Sequence, residues 1–138
     1  MPGEADLATL LAGLAPVLDP VPYVFATLPV GEAIRSGIVP LATFAEAEGM
    51  SIVAVASQWH ETGRPASADY ARLTMAVHSS LDAVGMTAAI AAALTERGIS
   101  ANVVAAYHHD HIFVPWERGA EALAALRALA AGMRRRQA

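Results

Sequence analysis

The chain contains no cysteine among its 138 residues. Disulfide bonds, iron–sulfur clusters and thiol nucleophiles are therefore excluded. Charged side chains are also scarce, because they make up 16% of the residues against about a quarter in typical domains. A surface with so few charges is expected to cover part of its apolar area with a partner.

Positive charge is too scarce for a nucleic-acid-binding protein, because the net charge is −4 and such proteins usually carry a basic face. The one basic run, Arg134 to Arg136, closes a predicted helix, where it complements the helix dipole. No apolar run approaches the roughly 18 residues that span a bilayer. Glu4 and Asp6 precede the first apolar stretch, whereas a secretory signal begins with positive charge. We therefore expect a soluble cytoplasmic protein that binds neither nucleic acid nor membrane.

Apolar residues are abundant, at 55% of the chain, and their spacing predicts alternating helices and strands. The predicted helices are residues 4–14, 41–48, 86–97 and 117–133. The predicted strands are residues 21–28, 50–59, 71–78, 102–107 and 112–116. Residues 73–129 thus form a strand–helix–strand–strand–helix unit. Short hairpins and the absence of a glycine-rich phosphate loop favour an α+β, ferredoxin-like antiparallel sheet with helices packed on one face.

A glycine-bearing loop, a helix and a Gly-Ile ending follow one another in residues 85–100, which read GMTAAIAAALTERGIS. This run resembles the ACT domain, a small ferredoxin-like module that binds amino acids and related metabolites. The wider segments HSSLDAVG, ISANVVAAYHHDHIFVP and FAEAEGMSIV are similar to a group of short bacterial proteins that contain ACT domains. The resemblance implies two intertwined ACT-like halves. These are residues 1–68, less regular and with an N-terminal helix, and residues 69–138.

The resemblance also implies a ligand site in the loop between a strand and a helix, often against a second ACT unit. Free backbone N–H groups at a helix N-terminus attract a carboxylate. Asp82 could accept a hydrogen bond from a ligand amino group or cap the helix, and Gly85 could admit a ligand or form a plain turn. The predicted ligand-binding residues are Ser79, Ser80, Leu81, Asp82, Val84, Gly85 and Met86. The matching loop of the first half, residues 29–39, is longer and proline-rich, so it departs from the family pattern.

Residues 108–111, which read His-His-Asp-His, present an alternative site. On a strand, His109 and His111 would point to the same side and could begin a metal site. Zinc needs three or four protein ligands. The candidates for a third ligand are His78, His60 and Glu48. The other interpretation is a polar hairpin turn in which Asp110 bonds its own backbone, and the resemblance would also allow contact with a ligand.

These observations predict a regulatory module that binds an amino acid or a related metabolite, has no catalytic activity and no cofactor, and forms a homodimer. Two alternatives stay open. The first is a metal-binding protein or metal-dependent enzyme built on the turn at His108 to His111. The second is a non-binding dimerisation module, which the apolar, charge-poor composition favours.

Overall fold

The computed structural model describes residues 6–76 and 84–138. Packing divides the chain into two compact units. The discontinuous unit combines Met1–Asp19 with Ala71–Ala138, and the central unit is Pro20–Tyr70. The predicted division into residues 1–68 and 69–138 follows chain order instead, and it stays a prediction.

The central unit contains strands β2 (Tyr23–Pro29), β3 (Ala42–Glu46) and β4 (Gly49–Val55), followed by helix α2 (Ala56–His60). Strand β4 lies between the other two and is antiparallel to both. Its alternate residues Ile52 and Ala54 point inward, as expected for a strand with one covered face. The remaining members of this small core are Val24, Leu28, Ala56 and Trp59.

Two predictions for the central unit are wrong. Residues 41–48 were expected to be helical, but Ala42–Glu46 forms strand β3, whose five residues are all exposed. Helix propensity is a weak preference that tertiary context overrides, and here pairing with β4 satisfies the backbone of the segment instead. The strand expected over residues 50–59 ends at Val55, since α2 begins at Ala56 and turns Trp59 into the core.

The discontinuous unit contains the remaining helices and strands of the described residues. Its helices are α1 (Leu7–Ala12), α3 (Met86–Thr95) and α4 (Gly119–Gln137), with a 3-10 turn at Trp116–Arg118. Its strands are β1 (Pro16–Leu18), β5 (Tyr70–Met75, from Ala71 onward), β6 (Asn102–Ala105) and β7 (Asp110–Pro115). They lie side by side in the order β1, β5, β7, β6. Strand β1 was not predicted. It supplies the edge position that the last strand of a β-α-β-β-α-β unit would otherwise fill.

The core of this unit confirms the periodicity of the sequence. Leu73 and Met75 of β5 and Ile90 of α3 are fully buried in one apolar cluster. Leu126 of α4 belongs to the same cluster. All three helices of the unit contribute to this cluster, so they cover one face of its strands. The α+β, ferredoxin-like antiparallel architecture is confirmed. Within residues 6–76 and 84–138, none of the helices has the length and apolar character needed to cross a membrane.

Candidate functional site

The predicted ligand loop lies between the end of β5 and the start of α3. Its members Ser79, Ser80, Leu81 and Asp82 lie outside the described residues. Val84 is 82% exposed. Met86 is buried in the core, so its backbone rather than its side chain is available to a ligand.

Gly85 is the N-cap residue of α3 and has a φ of +93°. This left-handed conformation favours glycine. A Cβ atom at this position would lie 3.0 Å from Cδ2 of Leu7. The close approach that this glycine permits is therefore one with helix α1.

The histidine turn lies beside the end of β5 from which the chain enters this loop. Thr74, the second-last residue of β5, and His111, the second residue of β7, are joined through Oγ1 and Nδ1 at 3.1 Å. Asp110 begins β7 and pairs with Ala105 of β6. The structure thus places two members of the predicted histidine cluster next to the strand that leads into the predicted ligand loop.

The turn itself differs from the predicted one. The amide of Ala106 donates to the carbonyl of His109 at 3.0 Å, so the reversal comes before Asp110. His109 therefore lies in the turn and not on the strand with His111, and the expectation of a shared strand face is wrong. Nδ1 of His109 is buried and has no hydrogen-bond partner among the described residues. Within that same part of the chain, no group of three or more potential ligands could hold a metal ion.

The other suggested metal ligands do not join this turn. His78 lies outside the described residues. His60, in α2, and Glu48, in the turn between β3 and β4, belong to the central unit. His60 instead lies 3.7 Å from the carboxylate of Asp69 in that unit.

Burial controls the electrostatics at the start of β7. Asp110 is 6% exposed, and burial raises the pKa of its carboxyl group, although His111 partly offsets this effect. The pKa of His111 is lowered, first by burial and then by the positive charge of Arg72. Arg72 is itself held by an ion pair with Asp19 at 2.8 Å. These shifts favour a neutral imidazole on one face of β7 and, on the other face, a carboxyl group whose ionised form would gain from a cationic partner.

The alternation of β7 places Asp110 on the same face as Ile112 and Val114, which belong to the core cluster under the helices. No side chain among the described residues donates a hydrogen bond or ion pair to the Asp110 carboxylate. The sequence indicated this residue only as part of a polar turn. The burial of Asp110 marks a candidate site, and this burial could not be predicted from the sequence.

Comparison with known proteins identifies two ACT-domain matches and a similar solved structure. Models of the ACT domain match residues 2–69 and residues 67–128. A Vibrio cholerae protein of unknown function, described as a possible transport protein, is 44% identical, with a TM-score of 0.81 over 90% of this chain and 95% of that one.

More distant structures share the fold. The ligand-free regulatory subunit of aspartate kinase from Thermus thermophilus is 13% identical, with a TM-score of 0.62 over 83% of this chain and 95% of that one. An Agrobacterium tumefaciens protein is 19% identical, with a TM-score of 0.62 over 80% and 84% of the two chains. No curated protein matches the chain.

Proposed function

The chain belongs to the ACT-domain family, and from that premise we propose that it is a non-catalytic regulatory module that binds an amino acid or a related metabolite. The observation that carries this proposal is the carboxylate of Asp110, a residue only 6% exposed, which forms no ion pair with any described residue and lies beside the end of β5. The loop predicted from the family resemblance, residues 79–86, begins just beyond that end. A ligand in this position would meet both features.

The chemistry of the site favours a zwitterionic ligand. A ligand ammonium group next to Asp110 would supply the positive partner that this carboxylate lacks among the described residues, and buried charges are normally paired. The ligand carboxylate would accept hydrogen bonds from the free N–H groups at the start of α3, where no side chain provides a cap.

A ligand-dependent thermal shift tests the proposal. Each of the twenty common amino acids and their keto acids would be added to the full chain and the melting temperature recorded. A ligand that binds the native state raises its stability by about 2.7 kcal/mol at a hundredfold excess over Kd. The variant Asp110→Asn should lose this shift, because an amide cannot pair with an ammonium group. The control variant Glu96→Gln changes an exposed carboxylate at the end of α3 and should keep it. The absence of a shift with every compound would contradict the proposal.

One observation favours a second candidate function, assembly into a homodimer. Strand β3 is exposed along its whole length, and Phe44 within it is 70% exposed. It stands at the end of the strand order of the central unit and, among the described residues, pairs only with β4. Exposed edge strands are ready templates for pairing with another chain.

The oligomeric state in solution tests this second candidate. Light scattering of the full chain at micromolar concentration should give the mass of a dimer. Phe44→Glu should convert it to a monomer, whereas Val30→Glu, which changes another exposed apolar residue of the central unit, should not. A monomeric wild-type protein would rule out the candidate.

A cytoplasmic location is part of the proposal, because regulation by amino acids or related metabolites requires access to their intracellular pool.

A further inference from the structure

A row of side chains crosses the four strands of the discontinuous unit on the face opposite its helices. Val17 of β1 lies opposite Thr74 of β5. Val104 of β6 lies opposite His111 of β7. Directly opposite residues share a face, and the 3.1 Å contact between Thr74 and His111 joins the two pairs. Leu73, next to Thr74, is in the core under the helices, so the row lies on the other face. Thr74 thus stands between β1 and the imidazole of His111.

Strand β1 is tied to β5 at its far end by Arg72. The guanidinium group of Arg72 forms an ion pair with the carboxylate of Asp19 at 2.8 Å, and each of the two side chains is 19% exposed. The backbone amide of Asp19 also donates to the carbonyl of Arg72 at 2.9 Å. Because Arg72 lies two residues before Thr74, its side chain is on the same face as His111. Asp19 therefore fixes the position of a cation whose charge acts on His111.

The surroundings of His111 oppose a positive charge on its ring. Burial is the main reason why the pKa of His111 lies below its usual value, and the charges of Arg72 and then of His109, in the turn before β7, lower it further. Asp110, which precedes His111 on the opposite face, partly offsets these effects. Strand β6 carries no charged residue, and Asp19, which follows β1, is held by Arg72. Protonation of His111 is thus favoured by any movement that hydrates the ring and lets Arg72 move away.

We propose that residues 15–19, the β1 strap, form an acid-released element: protonation of His111 weakens their attachment to β5 while the rest of the unit stays folded. The imidazolium repels Arg72, and separation of the strap relieves this repulsion because Asp19 no longer holds Arg72 in place. The same separation exposes Thr74 and so hydrates the ring. With only three residues in its strand, the strap is a small element that can open locally. The device needs no ligand and is therefore independent of the proposed regulatory site.

The direction of the pH effect follows from linkage. With the strap attached, the pKa of His111 lies below 6.5, and with the strap open it returns towards that value. A neutral ring therefore favours attachment, and this preference is lost as the pH falls below 6.5. The equilibrium constant for opening should rise by about threefold or more between pH 7 and pH 5, and it should change little above pH 8.

Hydrogen exchange measured by NMR on the ligand-free full chain, in a buffer that contains EDTA, tests the proposal. The amides of Ala76 and Asp19 report on the strap, because they donate to the carbonyls of Ala15 and Arg72. The amide of Ile99, which donates to a carbonyl of α3 at 3.0 Å, reports on the rest of the unit. At pH 5 the two strap amides should be protected at least about tenfold less than Ile99. Their protection, corrected for intrinsic exchange rates, should also fall about threefold or more from pH 7 to pH 5.

Three variants test the assignment to His111. His111→Gln keeps a polar side chain beside Thr74 but cannot titrate, so the protection of the strap amides should be the same at both pH values. Asp19→Asn removes the ion pair with Arg72 and should lower their protection at both. His60→Gln removes an exposed histidine of α2 in the central unit, and this matched control should keep the full acid response.

Three results would overturn the proposal. Equal protection of the strap amides and of Ile99 at pH 5 would show that the strap opens only together with its unit. Strap protection that does not change between pH 7 and pH 5 would remove the acid response. An undiminished response in His111→Gln would assign it to another group. If that variant does not fold, NMR titration of the His111 ring in the wild-type chain decides instead, since a pKa at or above 6.5 would contradict the proposal.

Discussion

Gly49 should be the position in the central unit that tolerates a methyl group least. It begins β4 opposite Pro29 and has a φ of +152°. A Cβ atom built on its backbone would lie 2.1 Å from the carbonyl oxygen of Leu28. This oxygen belongs to the paired strand β2, so no rotation of a side chain can relieve the contact. Alanine at this position therefore requires the two strands to separate locally.

A matched control variant separates the two contributions to the loss of stability, the conformational strain and the backbone clash. Gly31 also has a positive φ, +82°, but a Cβ atom there would meet nothing within 4 Å. Gly31→Ala should therefore cost only the conformational strain of about 1–2 kcal/mol. Gly49→Ala adds the backbone clash, and the sum should reach at least about 4 kcal/mol, the range reserved for named structural defects.

The free energy of unfolding of both variants can be measured by urea unfolding that is monitored by far-UV circular dichroism. Both glycines lie in the central unit, so the comparison concerns the same transition even if the two units unfold separately. The free energy of unfolding should fall further for Gly49→Ala, by about 2 kcal/mol or more relative to Gly31→Ala. Equal effects of the two substitutions would refute the steric argument and attribute the requirement for glycine to backbone conformation alone.

Three further outcomes are expected for the discontinuous unit. Leu126→Ala, at a fully buried site, should destabilise the protein by about 2–5 kcal/mol in the same assay. Because the pKa of His111 in the folded state lies below its usual value of 6.5, stability should fall as the pH drops below that value. His111→Gln should reduce this loss in a series of melting curves. Because the pKa of Asp110 is raised above 3.8, its ionisation destabilises the fold above that pH. Asp110→Asn should therefore raise the melting temperature at pH 7 while abolishing ligand binding; a lower melting temperature would contradict this reasoning.

Local periodicity was sufficient for the elements that bury one regular face. The spacing of Met86, Ile90 and Leu94 predicted α3, and these are its buried residues. The alternation of β5 likewise predicted the inward side chains Leu73 and Met75. In each case the apolar positions repeat at the period of the element itself, so tertiary packing reinforces the local signal.

Strands that depend on pairing with a distant segment could not be predicted from the sequence. Strand β1 has three residues and begins with Pro16, and it is a strand because it pairs with Leu73 to Met75 of β5. Strand β3 buries no face and is defined by its register with β4. Neither carries enough residues or contrast in hydrophobicity to show a period. Their structure depends on a partner that is distant in sequence.

The same limit applies to the candidate sites. Sequence located the turn around Asp110 but could not show that the carboxylate is buried, since burial depends on the helices that cover β7. The contact between Thr74 and His111 joins residues 37 positions apart. Residue types were visible in each case, whereas their proximity was not.

The N-terminal segment links the proposed regulatory site to the rest of its unit. At the end of β5, Pro16 pairs with Met75, and the amide of Ala76 donates to the carbonyl of Ala15 at 3.1 Å. At the start of α3, Leu7 of α1 lies against Gly85. Strand β1 and helix α1 thus contact the described residues on either side of the predicted ligand-binding segment. A ligand bound between these two ends would restrain both contacts at once, so the N-terminal segment should become more stable when the site is occupied.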